Sequence, residues 1–455
     1  MKLIYNVKDR PSLPRTIIFA LQQVLAILAA TIVVPVIING NTADLAAAGK
    51  LGFVSQMSQS AALLGAGVGT IVYLLFTKFK SPVFLGSSFA FLGSMTAAFA
   101  GAVSASAGYL GLIVGAILAG LVYVAIALVV KFVGVNWINK IMPAAVIGPT
   151  VAVIGLSLSG NAVGDLTKGA VATTNPYVAL LCGLVTLATV IVCSVYGKKM
   201  MKIIPFIIGI LAGYAVASVF TVIGELANVP ELIVINFRLF KNMTWLPDFT
   251  FVEAAKGFSG FTGSYFLTVL VAYVPVAFVV FAEHIADHKN ISSIIESDLL
   301  EDPGLDRTLL GDGVGSMVGA FFGGCPNTTY GESVGCVAIS GNASVVTIFC
   351  AAIICIIAAF FAPFVTLLAT IPSCVMGGVC FALYGFIAVS GLKMIQKVDL
   401  GDNRNLFTVS VILIAGVGGL VLTIGKVTIT AVACALILGI LTNVLVNLKK
   451  DKTEE

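Results

Sequence analysis

Residues 81–130 contain no Asp, Glu, Lys or Arg, and neither do residues 333–392. Shorter charge-free runs cover 203–224, 257–282, 405–425 and 427–448. A helix rises about 1.5 Å per residue, so roughly 20 apolar residues cross the hydrocarbon core of a bilayer. Each of the two long runs holds two or more such crossings. Only 10% of the 455 residues are charged and 59% are hydrophobic, against roughly 25% charged in a soluble domain. Backbone polar groups in lipid must be satisfied within the segment itself, so the chain reads as an all-α polytopic membrane protein. Met1–Arg15 is polar and basic, and the apolar run after it continues for a full span, as in a first crossing rather than a cleaved signal. The nine cysteines lie mostly in apolar segments without a CxxC pair. Buried reduced thiols are expected there, not a disulfide frame or a metal site.

Hydropathy divides the chain into fourteen segments: 14–38, 56–76, 81–101, 107–130, 144–163, 176–196, 203–224, 264–295, 308–323, 326–341, 344–369, 373–391, 405–424 and 427–447. An even number puts both termini on one side. With the termini inside, 19 Lys and Arg residues face the cytoplasm and six, at 50, 168, 238, 241, 256 and 426, face out. That asymmetry fits the positive-inside rule.

Two segments are interrupted in the same way. Ser81-Pro82-Val83-Phe84-Leu85-Gly86-Ser87-Ser88-Phe89 and Cys325-Pro326-Asn327-Thr328-Thr329-Tyr330-Gly331-Glu332-Ser333 each open on a small residue and Pro. Pro lacks a backbone donor and β-branched Thr328 and Thr329 disfavour helix, so each predicts an extended stretch feeding a half-helix. A second matched pair, Pro143–Gly148 and Pro372–Gly377, falls in the same order. Together they predict a seven-plus-seven inverted repeat. Interrupted segments at corresponding positions of two halves point to a transporter's midplane site.

Carboxylates inside apolar segments are costly, about 2.5–3.5 kcal/mol each, and mark pathways or sites. Glu283 ends an apolar run and Asp287 follows one turn later on the same face. Glu332 is the only charge between 313 and 392. The plainer alternatives are an ordinary helix end for Glu283 and a helix-capping carboxylate for Glu332. His284 and His288 lack a third zinc ligand and read as solvated or structural. Asp312 is either a partner to the site or a helix-start residue, and the glycines at 311, 313, 315, 319, 323 and 324 imply close helix packing. A half-helix N-terminus offers free N–H groups to carbonyl oxygens or anions, whereas a carboxylate accepts from ligand N–H groups. Phe89 beside the first break suits a flat ring. Carbonyl, N–H and flat ring together describe a pyrimidine or purine base. No nucleophile–base pair is visible, so an enzyme is not expected.

At these residues the sequence resembles the nucleobase–ascorbate transporter family, specifically its bacterial uracil permease branch. The resemblance spans essentially the whole chain and rests on Gly86-Ser87-Ser88-Phe89-Ala90-Phe91, Ala282-Glu283-His284-Ile285, Asp302-Pro303-Gly304-Leu305 and Pro326-Asn327-Thr328-Thr329-Tyr330-Gly331-Glu332. It implies a core domain (1–142 and 261–370, segments 1–4 and 8–11) and a gate domain (143–260 and 371–455, segments 5–7 and 12–14). Short antiparallel strands in segments 3 and 10 are implied to meet at the midplane. It also implies a homodimer in the lipid of the cytoplasmic membrane, taking up uracil with protons and needing no cofactor or nucleic acid. Carried over by position, Glu283 and Glu332 bind the base, Phe89 lines the pocket, and the backbone at Phe89, Tyr330 and Gly331 faces the base's polar edge. Glu283, Asp287 and Glu332 carry proton coupling, and Cys336 is expected only to pack in the half-helix. The alternatives are a xanthine or other purine permease, or an anion transporter of the same architecture. Four positions depart from the family pattern: Asp287, Gln23, Ser333 and Ser340.

Overall fold

The computed structural model describes residues 3–134, 142–198, 200–424 and 427–448. Lys2, Lys140, Lys199, Lys426, Lys449, Lys450 and Lys452, all used in the orientation argument, lie outside the described residues. In chain order the first half comprises α1 (Leu13–Ala47), α2 (Gln59–Phe76), β1 (Leu85–Ser87), α3 (Leu92–Ala100), α4 (Ala105–Val133), α5 (Ala144–Ser157), α6 (Ser159–Asp165), α7 (Pro176–Tyr196), α8 (Met200–Ile203) and α9 (Pro205–Ala227). After α10 (Thr250–Ala255) the second half follows: α11 (Gly263–Ile295), α12 (Leu305–Gly323), β2 (Asn327–Thr329), α13 (Gly331–Ser340), α14 (Val345–Ala359), α15 (Ala362–Ala369), α16 (Ser373–Ile395), α17 (Asn403–Val417), β3 (Leu422–Ile424), β4 (Val427–Ile429) and α18 (Ala431–Asn447). Among the described residues eight helical segments are long and apolar enough to cross a membrane, and α14 with α15 forms a ninth, bent by 82°. The less apolar, Gly-rich α12, the shorter helices α17 and α18, and the two strand–half-helix segments complete the fourteen.

Both interruptions are extended, as the prolines and β-branched residues predict. β1 and β2 pair antiparallel with Leu85 opposite Thr329, Gly86 opposite Thr328 and Ser87 opposite Asn327. Ser88 N–H donates to the Pro326 carbonyl at 2.9 Å, and Tyr330 N–H donates to that of Phe84 at 3.2 Å. The pair sits among α1, α2, α11 and α12. Its burial is tolerable because the pairing and flanking side chains satisfy much of its backbone, although Ser87 Oγ, Ser88 Oγ and Asn327 Oδ1 are buried without a hydrogen-bond partner among the described residues. Leu85 N–H donates to Thr70 Oγ1 at 3.0 Å, and Asn327 Nδ2 donates to the Gly65 carbonyl at 2.9 Å.

The glycines of α12 do what the sequence predicts. A Cβ on Gly69 would stand 2.8 Å from the Gly315 carbonyl oxygen, and one on Gly315 would stand 2.9 Å from that of Gly69. Backbones this close leave no room for side chains, which is how helices gain packing where lipid removes the hydrophobic drive between them. The second matched pair also holds: Pro143 and Pro372 both cap helices, α5 and α16, in extended conformation (φ −69°, ψ 168° and φ −72°, ψ 153°).

Segments 13 and 14 differ from the expected spans 405–424 and 427–447. α17 ends at Val417, α18 starts at Ala431, and β3 and β4 pair antiparallel between them. Gly418 and Gly419 stop α17, with Gly419 at φ +69°. The following sequence is rich in β-branched residues, Val421, Thr423, Ile424, Val427, Thr428, Ile429 and Thr430. Such residues favour strand over helix, a preference that hydropathy does not register.

Candidate functional site

A cavity of about 450 Å³ opens between two groups of helices. α1, α2, α4, α12 and α14 pack on one another on one side, and α5, α7, α9, α16, α17 and α18 on the other. The first side, with α11 and α13, contributes Glu283, Asp287, Gly331, Glu332, Gly335 and Cys336 to the wall. The other side contributes an apolar surface of Val151, Phe206, Leu383, Phe386 and Ile387, with Lys202, Ser194 and Ser390 as its polar members.

Four of the six sequence-derived positions, Glu283, Asp287, Gly331 and Glu332, therefore meet on one cavity. The reason is local. Glu283 and Asp287 lie one turn apart on α11. Their helical neighbours His284 and His288 point the other way and are fully buried. His284 Nδ1 pairs with Asp312 Oδ2 at 2.7 Å and its Nε2 with Thr308 Oγ1 at 3.0 Å. His288 Nε2 lies 2.7 Å from the Tyr73 hydroxyl. These contacts fix the rotation of α11, so both carboxylates face the cavity. Asp312, open between two roles in the sequence, is thus the partner of His284.

Glu332 stands in the first turn of α13, whose N-cap Tyr330 is extended (φ −106°, ψ 121°) and makes no side-chain cap. A helix start leaves N–H groups without intrahelical acceptors, and its positive dipole end favours a carboxylate. A Cβ on Gly331 would meet only Asp287 Oδ1, at 3.9 Å, so the backbone there is open to a ligand. The site thus combines carboxylate acceptors, backbone donors and an apolar face.

The family whose model matches residues 14–425 is described as "Permease family". The chain belongs to the nucleobase–ascorbate transporter family. It is an integral membrane permease, not an enzyme. Among curated proteins it is 37% identical to "Uracil permease" of Bacillus caldolyticus, covering 98% of this chain and 95% of that one. To "Uracil permease" of Bacillus subtilis (strain 168) it is 35% identical over 99% and 97%, and to that of Escherichia coli (strain K12) 34% over 96% and 92%. Among solved structures, the transmembrane domain of the cyanobacterial bicarbonate transporter BicA superposes with TM-score 0.58 at 15% identity, covering 97% of this chain and all of that domain. Murine Slc26a9, an anion transporter in the inward-facing state, superposes with TM-score 0.65 at 13% identity over 97% of this chain and 69% of that one. At such identities the likeness is one of fold: the inverted-repeat membrane transporter architecture.

In this permease the remaining sequence-derived residues lie elsewhere. Phe89 does not line the cavity of the carboxylates. It borders a separate cavity of about 260 Å³ with Asn41, Thr96, Asn161 and Thr430, and its ring meets Tyr384 edge-on at 5.9 Å. Tyr330 is buried, and its hydroxyl donates to the Ser87 carbonyl at 2.7 Å, bracing the strand pair. Cys336, expected only to pack, lies on the main cavity wall. Two of the departures from the family pattern touch each other: Gln23 Nε2 donates to Ser333 Oγ, which also accepts from Phe84 N–H at 3.0 Å. The sequence reading missed Lys202, Ser194, Ser390 and Phe206. Lys202 was counted only as a topological charge, and the others sit in plain apolar runs that carry no signal of their own.

Proposed function

We propose that the chain is a secondary active transporter that takes up uracil in symport with protons across the cytoplasmic membrane. The observation that carries this reading is the convergence of Glu283, Asp287 and Glu332 with the uncapped start of α13 on one cavity. Near-full-length similarity to uracil permeases at 33–37% identity supports the substrate. Glu283 and Glu332 accept from the ring N–H groups, and the backbone at Gly331, at the start of α13, donates to the carbonyls. Uracil is neutral, so ion coupling falls to the carrier's own groups, and three neighbouring carboxylates in a low-dielectric site favour sharing a proton. Protonation also removes the cost of carrying a bare carboxylate across the barrier. α1–α4 and α11–α15 form the core that carries the site, and α5–α9 with α16–α18 form the gate. The protein is a homodimer in the lipid bilayer, with both termini cytoplasmic. Competition of labelled uracil uptake by unlabelled uracil, xanthine, adenine and sulfate tests the substrate. Uracil alone should compete at low concentration; stronger inhibition by xanthine or by sulfate would replace uracil with a purine or an anion.

A further inference from the structure

Asp287 is the one cavity carboxylate held by a side chain of the strand pair. Thr329 is the last residue of β2, 2% exposed, and its backbone is fixed opposite Leu85 by the strand register. Its hydroxyl donates to Asp287 Oδ2 at 2.8 Å. The other oxygen, Oδ1, lies 3.9 Å from where a Cβ on Gly331 would stand on the cavity wall. Among the described residues no comparable side-chain donor reaches Glu283 or Glu332. The three carboxylates are therefore not equivalent: two are open to whatever fills the cavity, and one is tied to the fold.

We propose that Thr329 is a positioning residue that ties the Asp287 carboxylate to the strand pair, so that Asp287 serves the ion while Glu283 and Glu332 meet the substrate. The proton part of this division rests on the symport reading above. The hydroxyl fixes one oxygen of Asp287, which stops the carboxylate from swinging onto ligand N–H groups. A donor to a carboxylate also favours its charged form. The titratable and charged groups around Asp287 are few. On α11 they are Glu283 one turn back, Lys289, and the histidines His284 and His288, which are turned away. α13 presents Glu332, and Lys202 of α8 lines the opposite wall. α12 contributes Asp312, engaged with His284; α2 contributes Tyr73, engaged with His288; and α4 contributes Tyr123, whose ring is 6.4 Å from that of His284. None of these donates to Asp287, so Thr329 is its fixed partner.

The test compares wild type, Thr329→Val and Thr329→Ser as full-length protein. The protonated-carboxyl infrared band of Asp287, assigned by its loss in Asp287→Asn, is titrated alongside the pH profile of uracil uptake in proteoliposomes. Loss of one hydrogen bond to a charged group moves a titration by about one pH unit. Thr329→Val is expected to move the Asp287 band midpoint and the half-maximal pH of uptake that far toward alkaline, with uracil Kd changed less than about threefold. Thr329→Ser, which keeps the hydroxyl, should overlay wild type. A band midpoint unmoved in Thr329→Val overturns the proposal, whatever happens to rate or melting temperature, since a purely structural threonine would alter only those. A moved midpoint with uptake indifferent to the proton gradient upholds the positioning role and instead removes the symport reading.

Discussion

Replacing Glu283 by Gln keeps size and shape but exchanges one acceptor oxygen for an NH₂ donor and removes the charge. Glu283 lines the cavity, and among the described residues no hydrogen bond occupies its side chain. Its acceptor capacity is therefore available to a ligand. A hydrogen bond to a charged group contributes about 1.5–3 kcal/mol, which is about 10- to 150-fold in Kd. Stability should not fall in parallel, because Asp287 and Glu332 share the cavity and removing one of three like charges relieves repulsion. The assay is equilibrium uracil binding to purified Glu283→Gln, with a thermal melt of the same sample. The expected result is a Kd at least tenfold weaker with an unchanged or higher melting temperature. A Kd within threefold of wild type in a folded sample would show that Glu283 does not meet the base.

Three further outcomes follow from the geometry. A Cβ on Gly335 would meet no atom within 4 Å on the cavity wall, so Gly335→Phe should fill the cavity and abolish uracil binding without lowering the melting temperature; a folded variant that still binds places the ligand elsewhere. A Cβ on Gly86 would enter the Tyr330 ring, so Gly86→Ala should destabilise by about 1–3 kcal/mol in denaturant unfolding, and the smaller Tyr330→Leu should relieve part of that loss; an undiminished midpoint would contradict the packing. Gln23 and Ser333 bond across α1 and α13, so a double-mutant cycle of Gln23→Ala and Ser333→Ala on uracil affinity should show about 0.5–3 kcal/mol of coupling, whereas additive effects would mean the contact carries nothing to the site.

Much of this fold was legible because lipid imposes rules that one sequence displays. The charge-free runs gave the segments, two prolines before β-branched or small residues gave the two extended stretches, and the family resemblance gave their antiparallel pairing. Glu332 stood out as a lone charge in a long apolar run. What hydropathy did not register was local backbone preference: the paired strands β3 and β4 are as apolar as a helix, and only their β-branched content distinguishes them. Nor did spacing resolve which side of a half-helix faces which cavity. Phe89 lies two residues beyond β1, and the turn before α3 carries it toward Tyr384 and away from Glu283. Cys336 lies one turn beyond Glu332 on α13 and so shares its face, a helical relation that was available from the sequence alone. Phe206, Ser194 and Ser390, on the wall opposite the carboxylates, belong to the site only through tertiary packing, which no local pattern records.

The most direct test of the account is uracil accumulation in proteoliposomes carrying the purified protein under imposed gradients. An inwardly directed proton gradient should drive labelled uracil above equilibrium, an uncoupler should abolish the accumulation, and a sodium gradient alone should drive none. Accumulation that follows sodium and survives the uncoupler would contradict proton symport through Glu283, Asp287 and Glu332, and the absence of uracil uptake under every gradient would contradict the proposed substrate.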